Sequence, residues 1–369
     1  MSYFAAQRDT STNGSCVRST RRKVLLAGAG AVLAGAFGWG AARPNPYYDG
    51  PQSDHFDGER FFNPGSPMRT NLIDFIQMRL TNESAEWPQS FPSGEKDRPP
   101  PRVGGRDLRV SFVGHATFLI QLAGLNILTD PVLSERASPI SYTGPKRVND
   151  PGIAFDDLPK IDVVLLSHNH YDHMDETTIK RLVARDRPRF IVPLGNDTIL
   201  RAFATDIDVS AFDWGDETDV SPDVAIRLHQ AHHWSARGVR DRRMALWAAF
   251  SLRTPAGNIY FAGDTGYADG SHFRAARDGA GPFRLALLPI GAYDPRWFMS
   301  YSHQDPEEAV AAFGDLEAEN AIAYHWGTFK LTGEPIDEPP ALLAEALQAR
   351  DIDPKRFVAP RPGETWKAS

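Results

Sequence analysis

The stretch "SHNHYDHMD" at positions 167–175 sets His168, His170 and His173 within six positions, with Asp172 among them, in a chain that has 11 histidines. Imidazole nitrogens and carboxylates are the ligand atoms of zinc and related divalent cations, which lower the pKa of water toward neutrality and so supply hydroxide. In extended backbone, residues two apart face the same way, so His168 and His170 are expected side by side. Asp172 and His173 follow as the chain turns and can face a second point nearby. The loop is therefore expected to serve two adjacent metal positions. The single cysteine, Cys16, sits in the polar stretch "TNGSC". Any metal must then be held by His, Asp or Glu, and no disulfide forms within the chain.

The elements that must carry this loop can be read around it. The buried-looking run "IDVVLLS" delivers the chain to His168, and "DETTIKRLV" starts a helix just beyond His173, so the motif is a strand-to-helix loop. Other candidate ligands occupy the same kind of place: His233 after "VAIRLHQA", Asp264 after "NIYFAG", His303 beyond "LALLPIG", and His325 after "NAIAY". Ligands in α/β folds collect at strand ends, where loops vary while the sheet holds them still. Singly, Asp264 also reads as a turn residue in "GDTG" and His325 as a satisfied histidine beside Trp326. Their convergence with the loop is what argues for a site.

After Gly105, short apolar runs such as "LRVSFVG", "TFLIQLA", "LNILTD", "RFIVPL" and "LWAAFSLRT" alternate with polar loops. Helices are expected after Asp175, after Asp305-Pro306 as N-cap and first helical residue, and over "PPALLAEALQARD". The pattern is α/β. Three segments are expected: an N-terminal signal at 1–42, a proline-rich arm at 43–105, and the α/β domain that carries the candidate ligands at 106–369. Within the arm, "NLIDFIQMRL" puts Leu72, Ile73, Phe75, Ile76 and Leu80 on one helical face, expected to dock on the core. A helix lying on a membrane is the alternative.

At 369 residues with 41% hydrophobic content, the chain can bury a large core. Its formal charge is −7 and its pI about 5.9, so no basic field invites nucleic acid, and a nuclease is disfavoured. Residues 20–42, "TRRKVLLAGAGAVLAGAFGWGAA", resemble a twin-arginine export signal, with a transmembrane anchor as the alternative. Export by that route carries folded proteins, which lets a metal be loaded first. Residues 1–42 carry Arg8, Arg18, Arg21, Arg22 and Lys23 against Asp9, so the body is more acidic than the whole. The expected location is periplasmic or inner-membrane-associated, with the cytoplasm as alternative.

The loop fits H-x-H-x-D-H, the signature of the metallo-β-lactamase superfamily. With "FVGHATFLI", "ILTDPVLSERASP", "GPKRV", "HHWSAR", "FAGDTGY", "PRWFMSYSHQDPEEAV" and "YHWGTF", it resembles N-acyl-phosphatidylethanolamine-hydrolysing phospholipase D and its bacterial relatives. The resemblance runs from about Phe61 to Phe329. It implies a sandwich of two mixed β-sheets flanked by helices, with two zinc ions at one edge. One zinc would be held by His168, His170 and His233, and the other by Asp172, His173 and His325, with Asp264 bridging them. His232 stands where the animal enzyme has a glutamine, so His233 is taken as the ligand and His232 as the fallback. Manganese and iron stay open on ligand type.

The implied reaction is hydrolysis of a phospholipid or other small phosphodiester by hydroxide shared between the metals, with Asp172 and Asp264 positioning them. His303 is the candidate proton donor or orienter for the departing alkoxide. Asp130 and His115 are expected to hydrogen-bond metal-bound histidines from behind. Tyr293, Trp297, Phe298, Met299 and Tyr301 are candidates for an acyl-chain groove, or else core packing. Peripheral membrane contact and an oligomer are compatible with this reading. The alternatives are a lactonase of the same superfamily and a metal- or lipid-binding protein without catalysis.

Overall fold

The strands nearest the proposed loop are buried along nearly their whole lengths, which is why they read as apolar runs and not as alternation. In the computed structural model, which describes residues 44–66 and 72–368, they build two mixed seven-stranded sheets. The export-signal segment lies outside the described residues.

The first sheet contains β1 (Leu108–Gly114), β2 (Thr117–Leu122), β3 (Leu125–Thr129), β4 (Val163–Leu165), β5 (Arg189–Pro193) and β6 (Val209–Phe212), with β14 (Thr365–Ala368) on the outer side of β1. The second runs in order through β7 (Glu217–Ser221), β8 (Val224–His229), β9 (Ala249–Arg253), β10 (Asn258–Phe261), β11 (Phe283–Pro289), β12 (Asn320–Tyr324) and β13 (Phe357–Val358). In the first sheet the pairs from β3 to β6 are parallel; in the second, those from β10 to β13. The ends of β3, β4, β8, β10, β11 and β12 lead into the loops that carry the candidate ligands.

Between the sheets lies a core in which Val110, Phe112, Ile120 and Leu165 meet Ile226, Phe250, Ile259 and Tyr324. Helices α2 (Glu176–Asp186) and α3 (Asn196–Phe203) cover the outside of the first sheet with Ile179, Leu182, Ile199 and Leu200. The second sheet is covered by α4 (Ser271–Ala280), α6 (Pro306–Asp315) and α7 (Glu338–Ala349), through Phe273, Phe313, Leu343 and Leu347. The expected sandwich is thus the observed one. Asp175 caps α2 through Thr177 N, and Asp305 and Glu308 form a capping box before α6.

Four strands (β6, β7, β13, β14) and three helices (α3, α4 and the short α5, Arg296–Met299) had no clear sequence signal. The four strands have only two to five residues, and β7 is a largely polar edge strand that needs only one neighbour.

Much of the proline-rich arm packs into the same compact unit as the domain. Phe56 and Phe61 enter the core, His55 bonds Asp213, and Phe91 N donates to Val148 O. The helix within the arm, α1 (Leu72–Thr81), corrects the expectation of a docked apolar face. Ile73 and Leu80 are 74% and 66% exposed, and Phe75 and Ile76 are exposed too. Its Phe75 ring lies 6.3 Å from Phe298 of α5, while Ile73, Ile76 and Leu80 stay exposed. No helix among the described residues is long and apolar enough to cross a membrane.

Candidate metal centre

Strand β4 is only three residues long, and past it the chain is held by bonds to both neighbours: Leu166 N donates to Ile191 O, and Ser167 N donates to Asp130 Oδ1 at 2.7 Å. Ser167 Oγ donates to the other oxygen of Asp130 at 2.6 Å. His168 therefore leaves the sheet from a fixed point. Its Nε2 lies 2.8 Å from Nδ1 of His170, which in turn lies 3.2 Å from His233 Nε2. The pair two residues apart is side by side, as the extended backbone requires.

The chain then turns, with His173 N and Met174 N both donating to His170 O. His173 Nε2 comes within 3.3 Å of His325 Nε2, and Asp172 Oδ2 lies 3.5 Å from the same His325 nitrogen. Between the two groups stands Asp264. Its Oδ2 is 3.1 Å from the Nε2 atoms of both His173 and His325, and 3.9 and 3.8 Å from those of His168 and His233. Its other oxygen, Oδ1, is buried and without a partner.

Among the described residues, His168, His170 and His233 form one potential ligand group, and Asp172, His173 and His325 with His115 form another. His168, His173, His233 and His325 are all buried. His170 and Asp172 are partly exposed, so the centre opens to solvent on their side. The choice between neighbours is made by geometry: His233 faces the centre, and His232 turns away to pack against His272.

Ring nitrogens aimed at one another across 2.8 to 3.3 Å, with an unpartnered carboxylate oxygen beside them, fit a pair of divalent cations. The electrostatics agree. Burial and neighbouring imidazoles push His168 well below its ordinary range and His170 down to about 3, and burial lowers His233 to about 4. Neutral rings are what a cation needs. Burial also opposes charge on His173 and His325, but the adjacent carboxylates of Asp264 and Asp172 outweigh it, raising His173 well above normal and His325 to about 9. In the metal-free chain these two protons balance the carboxylates that a divalent cation would neutralise.

Behind the ligands, Asp130 Oδ2 lies 2.7 Å from His173 Nδ1, the contact expected of it. His115 differs from expectation: its Nε2 meets Asp172 Oδ2 at 3.0 Å, so it orients a carboxylate and not a histidine. Three of these residues, His115, Asp130 and His325, hold φ values of 56°, 33° and 65°, in the left-handed region that non-glycine residues seldom occupy. His325 N donates to His115 O, tying the β1–β2 turn to the end of β12. His303 Nδ1 is buried, unpartnered and 3.9 Å from Asp264 Oδ2.

The aromatic candidates divide. Tyr293 is buried with its hydroxyl on Glu338 Oε1 at 2.6 Å, and Tyr301 Oη accepts from Asn63 Nδ2 at 3.1 Å, so both hydroxyls are engaged by other side chains. Trp297 is 51% exposed on α5 beside Phe298, and Phe298 and Met299 are half-buried.

Sequence reasoning missed Arg237. Its Nη1 donates to Asn169 O at 3.0 Å and Met174 O at 2.9 Å, gripping both ends of the histidine loop, and its guanidinium stacks on Tyr171. The only signal was its place at the end of "HHWSAR", four residues past His233.

A beta-lactamase superfamily domain model matches residues 125–326, more than half of the chain. N-acyl-phosphatidylethanolamine-hydrolyzing phospholipase D 1 of Caenorhabditis elegans is 34% identical over 340 residues, covering 85% of this chain and 94% of the worm protein. The mitochondrial protein of the same activity name from Saccharomyces cerevisiae is 37% identical over 222 residues, covering 58% of this chain and 47% of its own. Among solved structures, isothiocyanate hydrolase from Delia radicum gut bacteria superposes with a TM-score of 0.55 at 20% identity, covering 70% of this chain and 100% of that one. Such a likeness speaks for the fold alone.

Two sheets of this topology with a histidine and aspartate cluster at their shared edge define a metal-dependent hydrolase of the metallo-β-lactamase superfamily. Within it, the chain belongs to the N-acyl-phosphatidylethanolamine-hydrolysing phospholipase D family.

Proposed function

We propose that the protein is a zinc-dependent phosphodiesterase of phospholipase D type, acting on N-acyl-phosphatidylethanolamine-like lipids. The observation that carries the reading is the position of Asp264, whose one carboxylate oxygen stands between two sets of imidazole nitrogens. Its support in the family is the 34% identity to a phospholipase D over nearly the full length of that relative. A donor set of nitrogen and oxygen without thiolate suits zinc.

His168, His170 and His233 would hold one cation, Asp172, His173 and His325 the other, and Asp264 both. Two such cations lower the pKa of water toward neutrality and neutralise charge on phosphate oxygens. The residues of the chain do the rest. Asp264 fixes the separation of the two positions, and Asp172, oriented by His115, faces the open side where a phosphate can enter. Water attacks phosphorus, the bond from phosphorus to the ethanolamide oxygen breaks, and that oxygen takes up the proton that the attacking water gives up.

The hydrogen bond to the departing oxygen is assigned to His303, whose buried, unpartnered Nδ1 supports that role. Burial holds its ring well below the ordinary histidine range, so it is neutral at pH 7 and acts by orientation more than as a stored acid. The exposed stripe of α1 and Trp297 give the enzyme an apolar surface suited to peripheral contact with a membrane. Export through the twin-arginine signal would put that contact at the periplasmic face.

The test offers the purified protein N-acylated phosphatidylethanolamine, a simple phosphodiester and a lactone, with Asp264→Asn as control. Turnover of the first, lost together with metal in Asp264→Asn, supports the proposal. Preferred turnover of the lactone, or full metal content and full turnover in Asp264→Asn, overturns it.

A further inference from the structure

His232 lies beside a ligand position yet is turned from the centre, and its ring meets another buried histidine, His272 in the first turn of α4, at 4.6 Å between centroids. The Nδ1 atoms of both rings are buried without partners. Two buried imidazoles with unsatisfied nitrogens are costly where an apolar pair would pack, and such groups in a native fold call for a reason.

Thr265 supplies it. Its Oγ1 accepts from His232 N at 2.9 Å and lies 3.2 Å from His272 Nε2. The hydroxyl has one proton. If it is donated to Gly266 O, 2.9 Å away, His272 donates from Nε2; otherwise the hydroxyl donates to His272. Either way the bond between the two side chains holds.

The chain positions of these groups give the bond its consequence. Thr265 follows Asp264, and His232 precedes His233. Gly266 N donates to His232 O, and Gln304 N, next to His303, donates to Thr265 O. There is no slack at Gly266, where a Cβ would come within 2.6 Å of Ser300 O. After Asp264 the backbone does not re-enter regular structure until Ser271, and the contact from His272 back to Thr265 closes that excursion onto the helix.

We propose that His272 is a positioning residue of the metal centre, fixing through Thr265 the distance between Asp264 and His233 and hence the spacing of the two cation positions. The inference rests on the metal-centre reading of the preceding section and not on the choice of substrate.

The experiment uses the full chain loaded with zinc and titrated with a competing chelator. His272→Leu keeps the bulk and removes the nitrogen, and is expected to weaken zinc retention by about 10- to 100-fold. His272→Gln, which returns a hydrogen-bonding group, is expected to recover most of that loss. Thr265→Val removes the same bond from the other side, so adding it to His272→Leu should cost far less than the two single losses combined. Should His272→Leu not fold, His272→Phe, which likewise lacks a hydrogen-bonding nitrogen, takes its place in the same cycle. Chelator curves that superimpose on the parent, or losses that add in full, overturn the proposal. A parent chain that retains no zinc overturns the metal-centre reading instead.

Discussion

Asp130 Oδ2 sits 2.7 Å from Nδ1 of His173, and this contact decides which nitrogen of His173 faces the metal centre. With Nδ1 engaged behind, Nε2 is left to face Asp264 and His325. Asp130 is held in turn by the backbone and hydroxyl of Ser167, one residue before His168. One carboxylate thus sets both ends of the histidine loop. Asp130→Asn is expected to reduce metal affinity by about 10- to 100-fold with the fold intact. Chelator competition beside circular dichroism checks it; undiminished affinity would mean that His173 is oriented by its surroundings alone.

His303 is expected to act on the substrate and not on the metal. His303→Ala should keep the metal content of the parent and lose about 100-fold in kcat, within the range for general acid–base or orienting groups. Metal analysis and kinetics on one preparation separate the two roles. Loss of one metal equivalent would make His303 a ligand.

The arm has a pH-dependent fastening. His55 lies between Asp54 at 2.6 Å and Asp213 at 2.8 Å. Burial opposes its charge, but the hydrogen bonds to Asp213 and Asp54 outweigh that and raise it above the ordinary value near 6.5. A raised histidine stabilises the fold fully below its unfolded pKa, about 6.5, and loses that contribution as pH rises through the folded value. Thermal stability should therefore decline above neutrality by more in the parent than in His55→Gln. Parallel Tm profiles for the two would remove His55 from the account.

Contact with lipid is expected to run through α1 and α5. Phe75→Ser with Trp297→Ser should lower retention on vesicles by about 30-fold, since each exposed ring contributes on the order of 1 kcal/mol when half-buried in the interface. Turnover of a soluble phosphodiester should be unchanged, because neither residue lies in the ligand cluster. Equal loss on both substrates would argue that the helix supports the domain.

The ligand loop was legible in the sequence because its information is local. His168, His170, Asp172 and His173 are set by the two-residue period of extended backbone and by the turn that follows, and a buried strand before them with Asp175 capping a helix after them marks where they sit. The distant candidates His233, Asp264, His303 and His325 were legible because each follows a strand of strong apolar character. The exposure of α1 was not: an apolar stripe specifies what a helix can bury and says nothing of whether a core lies within reach.

By itself, then, the sequence determined the residue types at the centre, the strands that carry them, and the class of chemistry open to nitrogen and oxygen ligands. Only the tertiary structure decided that His233 and not His232 faces Asp264 and the ligand cluster, that His115 serves Asp172, and that Arg237 grips the loop. The reason is physical. Strand and helix periods act over a few residues, whereas the direction of a side chain at the end of a strand is set by whatever the opposite sheet and its loops bring against it.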